Sequence, residues 1–460
     1  MVGCRFAFAL EEVRGVSFQL FFKFMSDLQT AFGLIEDYAV LRKNRRVFPD
    51  RACLDSLKTL PQRLPEHGIE VKEILGMLHG TVAPATVMTT GPRYFGFVTG
   101  GSLPAAEAAH LVATAWDQNT ALQVMSPGCF ALEETALGWI AELLHIPAGA
   151  TGAFVTGALM ANFTGMAAAR HALLKARGYD VEAEGLFGAP AFAVVVSEES
   201  HSTLFKALAM LGLGRDRVIK VPTDGQGRMD PRFFPSLGEP ALICLQAGNV
   251  NTGAMDSGEL IELARQSQSW VHVDGAFGLW GAAAEYAGAD SWATDGHKWL
   301  NLPYDNGIIF VRDTEAMVGA MSISASYLNS AGGIEPMQKS PESSRRARGV
   351  DAWAGLLSLG VSGVKKMIED CCTHARHFAR ELERNGLQIL NEVSLNQVLV
   401  ALEDDERTMQ WIAAVQAEGV CWVGSTLWHG KRAMRISVSS YSTETEDVER
   451  SIESMLRCQV

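Results

Sequence analysis

The stretch Asp295-Gly296-His297-Lys298-Trp299 concentrates more chemistry than any other part of the chain, and it stands just before a turn (301–306) and an apolar run. A lysine flanked by His, Trp and Leu in a weakly charged stretch is placed for burial. Burial disfavours the ammonium form and makes the amine nucleophilic. Such an amine can form a Schiff base with an aldehyde, pyridoxal phosphate above all. A lone lysine more often snorkels to solvent, so Lys298 needs partners elsewhere in the chain.

Asp274 closes the run WVHVD and comes 24 residues before Lys298. That is enough chain for a helical crossover and a return strand. A pyridine nitrogen that is to act as an electron sink must be protonated, and a buried carboxylate beside it keeps it so. The plainer reading of Asp274 is a turn or helix cap. Ala276 and Gly278 follow, small enough for a flat ring to lie on the backbone. His201, in SEESHST, opens a helical stretch. Its imidazole can stack on a cofactor ring and touch a substrate carboxylate, or simply start the helix with no ligand. Residues 154–162, FVTGALMAN, lead from a strand into a helix through small residues. The free N–H groups of that first turn make a cup for a phosphate, to which His297 can add a contact.

The elements around these residues set a fold class. Short β-branched runs at 191–196, 241–245, 270–274 and 307–311 alternate with helical spacing at 202–213 and 257–268. Strands that alternate with helices predict an α/β fold, with a largely parallel sheet covered on both faces and a site at the carboxyl ends of its strands. Helices are expected at 105–116, 131–144, 350–387 and 442–456, and strands at 397–402 and 433–438. The expected organisation is an N-terminal helical segment (1–90), a large central domain (91–345) and a smaller C-terminal α/β domain (346–460).

Composition narrows the partners. The 460 residues are 48% hydrophobic and carry a formal charge of −13, the wrong sign for counterion release at a nucleic-acid backbone. No apolar stretch approaches the ~18 residues of a membrane span. Eight cysteines without a CxxC pair read as reduced thiols of a cytoplasmic protein. The histidines show neither HExxH nor close His/Cys clustering, so no metal site is expected. Met25 is a possible alternative start.

The ordered motifs SPGCFALEE, FVTGALMAN, SEESHST, GNVNTGAMD, HVDGAFG, DGHKW, ASYL and RRARGVDAW resemble the group II pyridoxal-phosphate-dependent amino-acid decarboxylases, relatives of the aromatic-amino-acid and glutamate decarboxylases. The resemblance runs from about residue 92 to the C-terminus. It implies the aspartate-aminotransferase-like fold (fold type I), pyridoxal 5'-phosphate as cofactor and a small-molecule amino-acid substrate. Lys298 then matches the Schiff-base lysine, Asp274 the ring-nitrogen partner, His201 the stacking histidine and Ala276 the small residue under the ring. His297, Thr156, Gly157, Ala158, Leu159, Asn162 and Asn251 fall among the cofactor-binding positions. Tyr327 matches the loop tyrosine that reprotonates the substrate carbon after carbon dioxide leaves. Arg348 and Phe97 are placed at the substrate. The resemblance also implies a homodimer with a shared active site, into which residues 94–99 enter from the partner chain.

Two departures stand out. Leu159 occupies a cup position where the family usually has a small or hydroxylated residue, and Asp295-Gly296 replaces the Asn-Pro common in the aromatic decarboxylases. The same cofactor frame would also serve an aminotransferase or an oxidative decarboxylase that yields an aldehyde. A catalytically silent cofactor-binding protein is the remaining alternative.

Overall fold

The computed structural model describes residues 18–322 and 333–459. The chain divides into two units, Met1–Met88 and Thr89–Val460. In the first, helices span Phe18–Leu41, Arg51–Ser56 and Val71–Met77. Asp50 caps the second of these by accepting the Cys53 N–H at 2.9 Å. The Arg45 guanidinium donates to the Thr86 carbonyl at 2.9 Å, which ties residues 83–86 back toward the end of the first helix.

The second unit is built on two sheets. Its strands are β1 (Tyr94–Phe95), β2 (Thr151–Val155), β3 (Val194–Ser197), β4 (Ile219–Val221), β5 (Leu242–Gln246), β6 (Trp270–Asp274), β7 (Ser291–Asp295), β8 (Gly307–Val311), β9 (Gln388–Ile389), β10 (Gln397–Ala401), β11 (Trp422–Trp428) and β12 (Lys431–Ser437). The larger sheet has the order β2-β8-β7-β6-β5-β3-β4. All its pairings are parallel except those of β8, which runs against both neighbours. Strands β5 to β8 are buried along their whole length. Parallel strands covered on both faces read as nearly unbroken apolar runs, which is why LICLQ, WVHVD and GIIFV are visible in the sequence.

The smaller sheet has the order β1-β11-β12-β10-β9. Residues 94–95 therefore hydrogen-bond in parallel with β11, across from Trp422 and Val423, instead of joining the large sheet. The helix Arg348–Arg384 is broken at Gly360, whose φ of 62° lies in the left-handed region. Glycine takes that conformation at no steric cost.

Among the described residues no helix is long and apolar enough to cross a membrane. The described cysteines are all free thiols.

Candidate active site

Five strand ends of the large sheet converge on one cleft of about 580 Å³. Its walls include Gly157, Ala158 and Leu159 after β2, His201 and Thr203 after β3, Gln246 and Gly248 at β5, Asp274, Ala276 and Phe277 at β6, and Asp295, His297 and Lys298 at β7. Phe97 and Val98 from the segment after β1, and Ser425 and Arg435 from the small sheet, complete it. Residues far apart in sequence meet here because parallel strands all point their carboxyl ends the same way.

The charged core of the cleft is a lysine between two carboxylates. Lys298 Nζ lies 3.1 Å from Asp295 Oδ2. Asp274 is buried, and burial pushes its carboxyl above the usual range, opposed by the charges of His201 and Lys298, by Asn162 and by the Ala276 N–H. A carboxylate held up in this way gains from a donor placed against it in the cleft. His201 caps the helix Ser202–Met210. Its Nδ1 accepts the Thr203 N–H at 3.3 Å and lies 2.7 Å from Thr203 Oγ1. Because Nδ1 accepts, the neutral ring carries its proton on Nε2. Burial lowers the His201 pKa, and the Asp274 charge partly restores it.

The cup is formed where β2 enters the helix Ala158–Lys175. Gly157 at its N-cap offers no side-chain acceptor, and the Ala158 N–H is bound by Asp295 Oδ1. A Cβ on Gly157 would come within 3.2 Å of His297 Cε1, so only glycine keeps the floor of the cup open. His297 Nδ1 accepts the Asn306 N–H at 3.0 Å, its Nε2 lies 3.5 Å from Asp295 Oδ1, and its ring stacks on Tyr304 with centroids 4.2 Å apart. Gly248, with φ of 99°, closes against Gly278, where a Cβ would approach Cα to 2.9 Å.

Several sequence expectations are corrected here. Phe97 and Val98 line the cleft of their own chain, where β1 anchors them to the small sheet of the same unit. Both have left-handed backbone, with φ of 53° and 54°, a conformation that costs free energy in non-glycine residues and persists where the surroundings over-determine it. Arg348 does not line the cleft. Its buried guanidinium is held by Asp305 at 3.0 and 3.2 Å. Asn251 is likewise outside the walls, its Oδ1 accepting from Thr426 Oγ1 at 2.9 Å. Thr156 precedes the cup without lining it, and Asn162 lies buried behind Asp274. Tyr327 lies outside the described residues.

Among the wall residues, the sequence reading did not single out Arg435. Arg435 is 8% exposed and its Nε has no hydrogen-bond partner. The sequence signal was an arginine inside the apolar run 433–438, at a position that alternation places on the buried face. Gln246 is buried with both amide atoms unpartnered, directly beside Asp274 in the β5–β6 register.

A lysine, a buried carboxylate whose charge interacts with it, a histidine and a helix N-terminus in one cleft form the outline of a pyridoxal-phosphate enzyme. The chain belongs to the pyridoxal-dependent decarboxylase family, whose conserved-domain model matches residues 54–402. Pyridoxal-phosphate-dependent decarboxylation of an amino acid is the activity that goes with this membership. Among curated relatives, the aromatic-L-amino-acid decarboxylase of Bacillus atrophaeus is 27% identical over 70% of this chain and 69% of its own length. Tryptophan decarboxylase 1 of Oryza sativa subsp. japonica is 25% identical over 92% and 91%. The acidic amino acid decarboxylase GADL1 of Xenopus tropicalis is 27% identical over 73% and 69%. The fold matches the crystal structure of Oryza sativa TDC with PLP and tryptamine at a TM-score of 0.87 and 22% identity, covering 97% of this chain and 99% of that one. Mouse CSAD matches at 0.86 and 21%, covering 95% and 98%.

The residues present fit the cofactor. Asp274 and the orphaned Gln246 amide suit the polar edge of a pyridine ring, Ala276 and Gly278 leave room for its face, and the cup suits its phosphate. Asp295 is the one group of unfavourable sign beside a phosphate.

Proposed function

We propose that this chain decarboxylates an L-amino acid with a bulky apolar or aromatic side chain, with pyridoxal phosphate held on Lys298. The convergence of Lys298, Asp274 and His201 at three strand ends of one cleft carries this reading. When bound, the cofactor supplies an electron sink for the bond to the departing carboxylate. Lys298 Nζ would hold the cofactor through its aldehyde carbon. Asp274 would hold a proton on the ring nitrogen. His201, with its proton on Nε2, would orient the substrate carboxylate, and the buried Arg435 guanidinium would bind the same group. Phe97, Val98, Val250 and Phe277 give the substrate side chain an apolar wall. Trp299, by contrast, is fully buried and packs behind Phe277 with centroids 6.3 Å apart. Tyr327 is the acid proposed to return a proton to Cα.

A homodimer and a cytoplasmic location complete the proposal. Phe97 is 62% exposed in the single chain while lining the cleft, which leaves an aromatic face for a second copy to cover. The division of the chain at residues 90 and 345 belongs to the same reading. The deciding experiment incubates the loaded protein with each common amino acid, collects carbon dioxide and identifies the product. An amine with carbon dioxide supports the proposal; a ketoacid, or an aldehyde with ammonia, overturns it.

A further inference from the structure

Behind the cleft, a line of buried polar groups runs along one face of β6. Trp270, His272 and Asp274 alternate along the strand, so their side chains share a face, and the helix Ala158–Lys175 covers it. Trp270 Nε1 donates to Ser291 Oγ at 2.9 Å. Ser291 Oγ lies 2.8 Å from His272 Nδ1, and His272 Nε2 lies 2.8 Å from Asn162 Oδ1. Asn162, His272 and Ser291 are all 0% exposed. Gly165 completes the clamp, since a Cβ there would stand 2.7 Å from the His272 ring. The helix therefore presses its backbone directly onto the imidazole.

Donor and acceptor types give this chain a direction. Trp270 can only donate and the Asp274 carboxylate can only accept. Burial pushes the His272 ring down to about 3, so it is neutral and carries one proton. With Ser291 donating to Nδ1, that proton is on Nε2 and is given to Asn162 Oδ1. The Asn162 amide is thereby oriented with Nδ2 pointing away from His272. That Nδ2 has no hydrogen bond of full geometry inside the protein, yet it lies near enough to Asp274 to favour its charged form. A histidine and an asparagine that merely satisfied each other in a core would not leave a buried amide aimed at a carboxylate in the cleft.

We propose that Ser291 and His272 act as a one-way hydrogen-bond relay that fixes the Asn162 amide toward Asp274, making all three positioning residues for the carboxylate that meets the cofactor's ring nitrogen. The inference rests on the assignment of Asp274 to that nitrogen. The other titratable groups facing Asp274 are His201 and Lys298 from the cleft and the Cys244 thiol of β5, and none of the relay's hydrogen bonds goes to them.

The test compares Ser291→Ala with Ser291→Thr in the loaded enzyme. Without the hydroxyl, the ring can take its proton on Nδ1 and the amide can turn its oxygen toward Asp274. In Ser291→Ala the visible band of the lysine-bound cofactor then titrates about half to one pH unit higher, and cofactor affinity falls about tenfold. Ser291→Thr keeps the donor and restores both. A merely structural serine would change thermal stability but leave the titration of the band unmoved, and equal titrations in both variants and the wild type overturn the relay. Nitrogen NMR of the His272 ring in the unsubstituted protein decides the matter even where Ser291→Ala does not fold. A proton on Nε2 is expected, and one on Nδ1 overturns the proposal. A wild-type protein that takes up no pyridoxal phosphate would fail the reading of the cleft instead, and is distinguished by having no visible band at all.

Discussion

Asp295 joins the lysine of the cleft to its cup: one carboxylate oxygen lies 3.1 Å from Lys298 Nζ, and the other accepts the Ala158 N–H that opens the helix Ala158–Lys175. The same side chain thus orients the nucleophile and occupies part of the helix terminus that would receive a phosphate.

The cofactor's phosphate and the Asp295 carboxylate carry charge of the same sign. Asp295→Asn keeps an oxygen for the Ala158 N–H and removes the repulsion. Its dissociation constant for pyridoxal phosphate, read by equilibrium dialysis, is expected to fall about threefold to tenfold, worth up to about 1.4 kcal/mol. Weaker binding would show that the charge serves Lys298 more than it hinders the phosphate. Lys298→Ala is expected to abolish the visible band altogether.

Leu159, on the cup wall, offers the phosphate no hydroxyl. Leu159→Ser adds one neutral donor at the start of the helix, and a hydrogen bond of that kind contributes about 0.5–1.5 kcal/mol. Cofactor titration of the apoprotein should show affinity up to about tenfold higher, with the melting temperature of the apoprotein lowered by the lost apolar contact.

Arg435 is a buried cation of the cleft wall whose Nε has no hydrogen-bond partner. Arg435→Gln should leave the visible band in place while kcat/KM for the best substrate falls about tenfold to a hundredfold, the loss of roughly 1.5–3 kcal/mol of charge-assisted hydrogen bonding. Unchanged kinetics would remove Arg435 from the substrate's path.

His272 gives a signed prediction for stability. Burial pushes its folded pKa down to about 3, below the ordinary histidine value of 6.5, so between these values the unfolded chain binds a proton that the folded one does not. The stability it confers is full above about pH 6.5 and is lost as pH falls, by at most about 1.4 kcal/mol per unit. Asp256, raised to about 6 by burial, and Asp274 act in the opposite sense. The measurement is therefore the difference in unfolding free energy between wild type and His272→Gln, in which the Asp256 term cancels. The difference should shrink, or change sign, as pH is lowered from about 6.5.

The sequence made visible what is buried on both faces and what carries a distinctive motif. β5, β6 and β8 stood out as apolar runs, and Lys298, Asp274, His201 and residues 157–159 line one cleft. β7 escaped notice because SWATD mixes Ser291, Thr294 and Asp295 with its apolar residues, although all five positions are buried. β1 and β11 escaped because their pairing joins residues on opposite sides of the large sheet's sequence, and no local pattern records a partner so distant. Motif position also left side-chain direction open: Arg348 and Asn251 fall at expected places, yet their polar groups turn to Asp305 and Thr426. Arg435 was passed over because a charge in a strand reads as a solvent-facing residue, and here that face looks into a cleft.

The joint between β1 and β11 also sets an order of events during synthesis. Arg93, just before β1, donates to the Asp447 carboxylate at 2.8 Å across 354 positions of sequence, and the wall made by Phe97 and Val98 hangs on that joint. The large sheet can assemble from contiguous chain while the ribosome is still at work. The substrate wall cannot, because its fastening emerges last. A nascent chain is thus expected to acquire its phosphate cup well before it can hold a substrate, so that cofactor capture precedes competence.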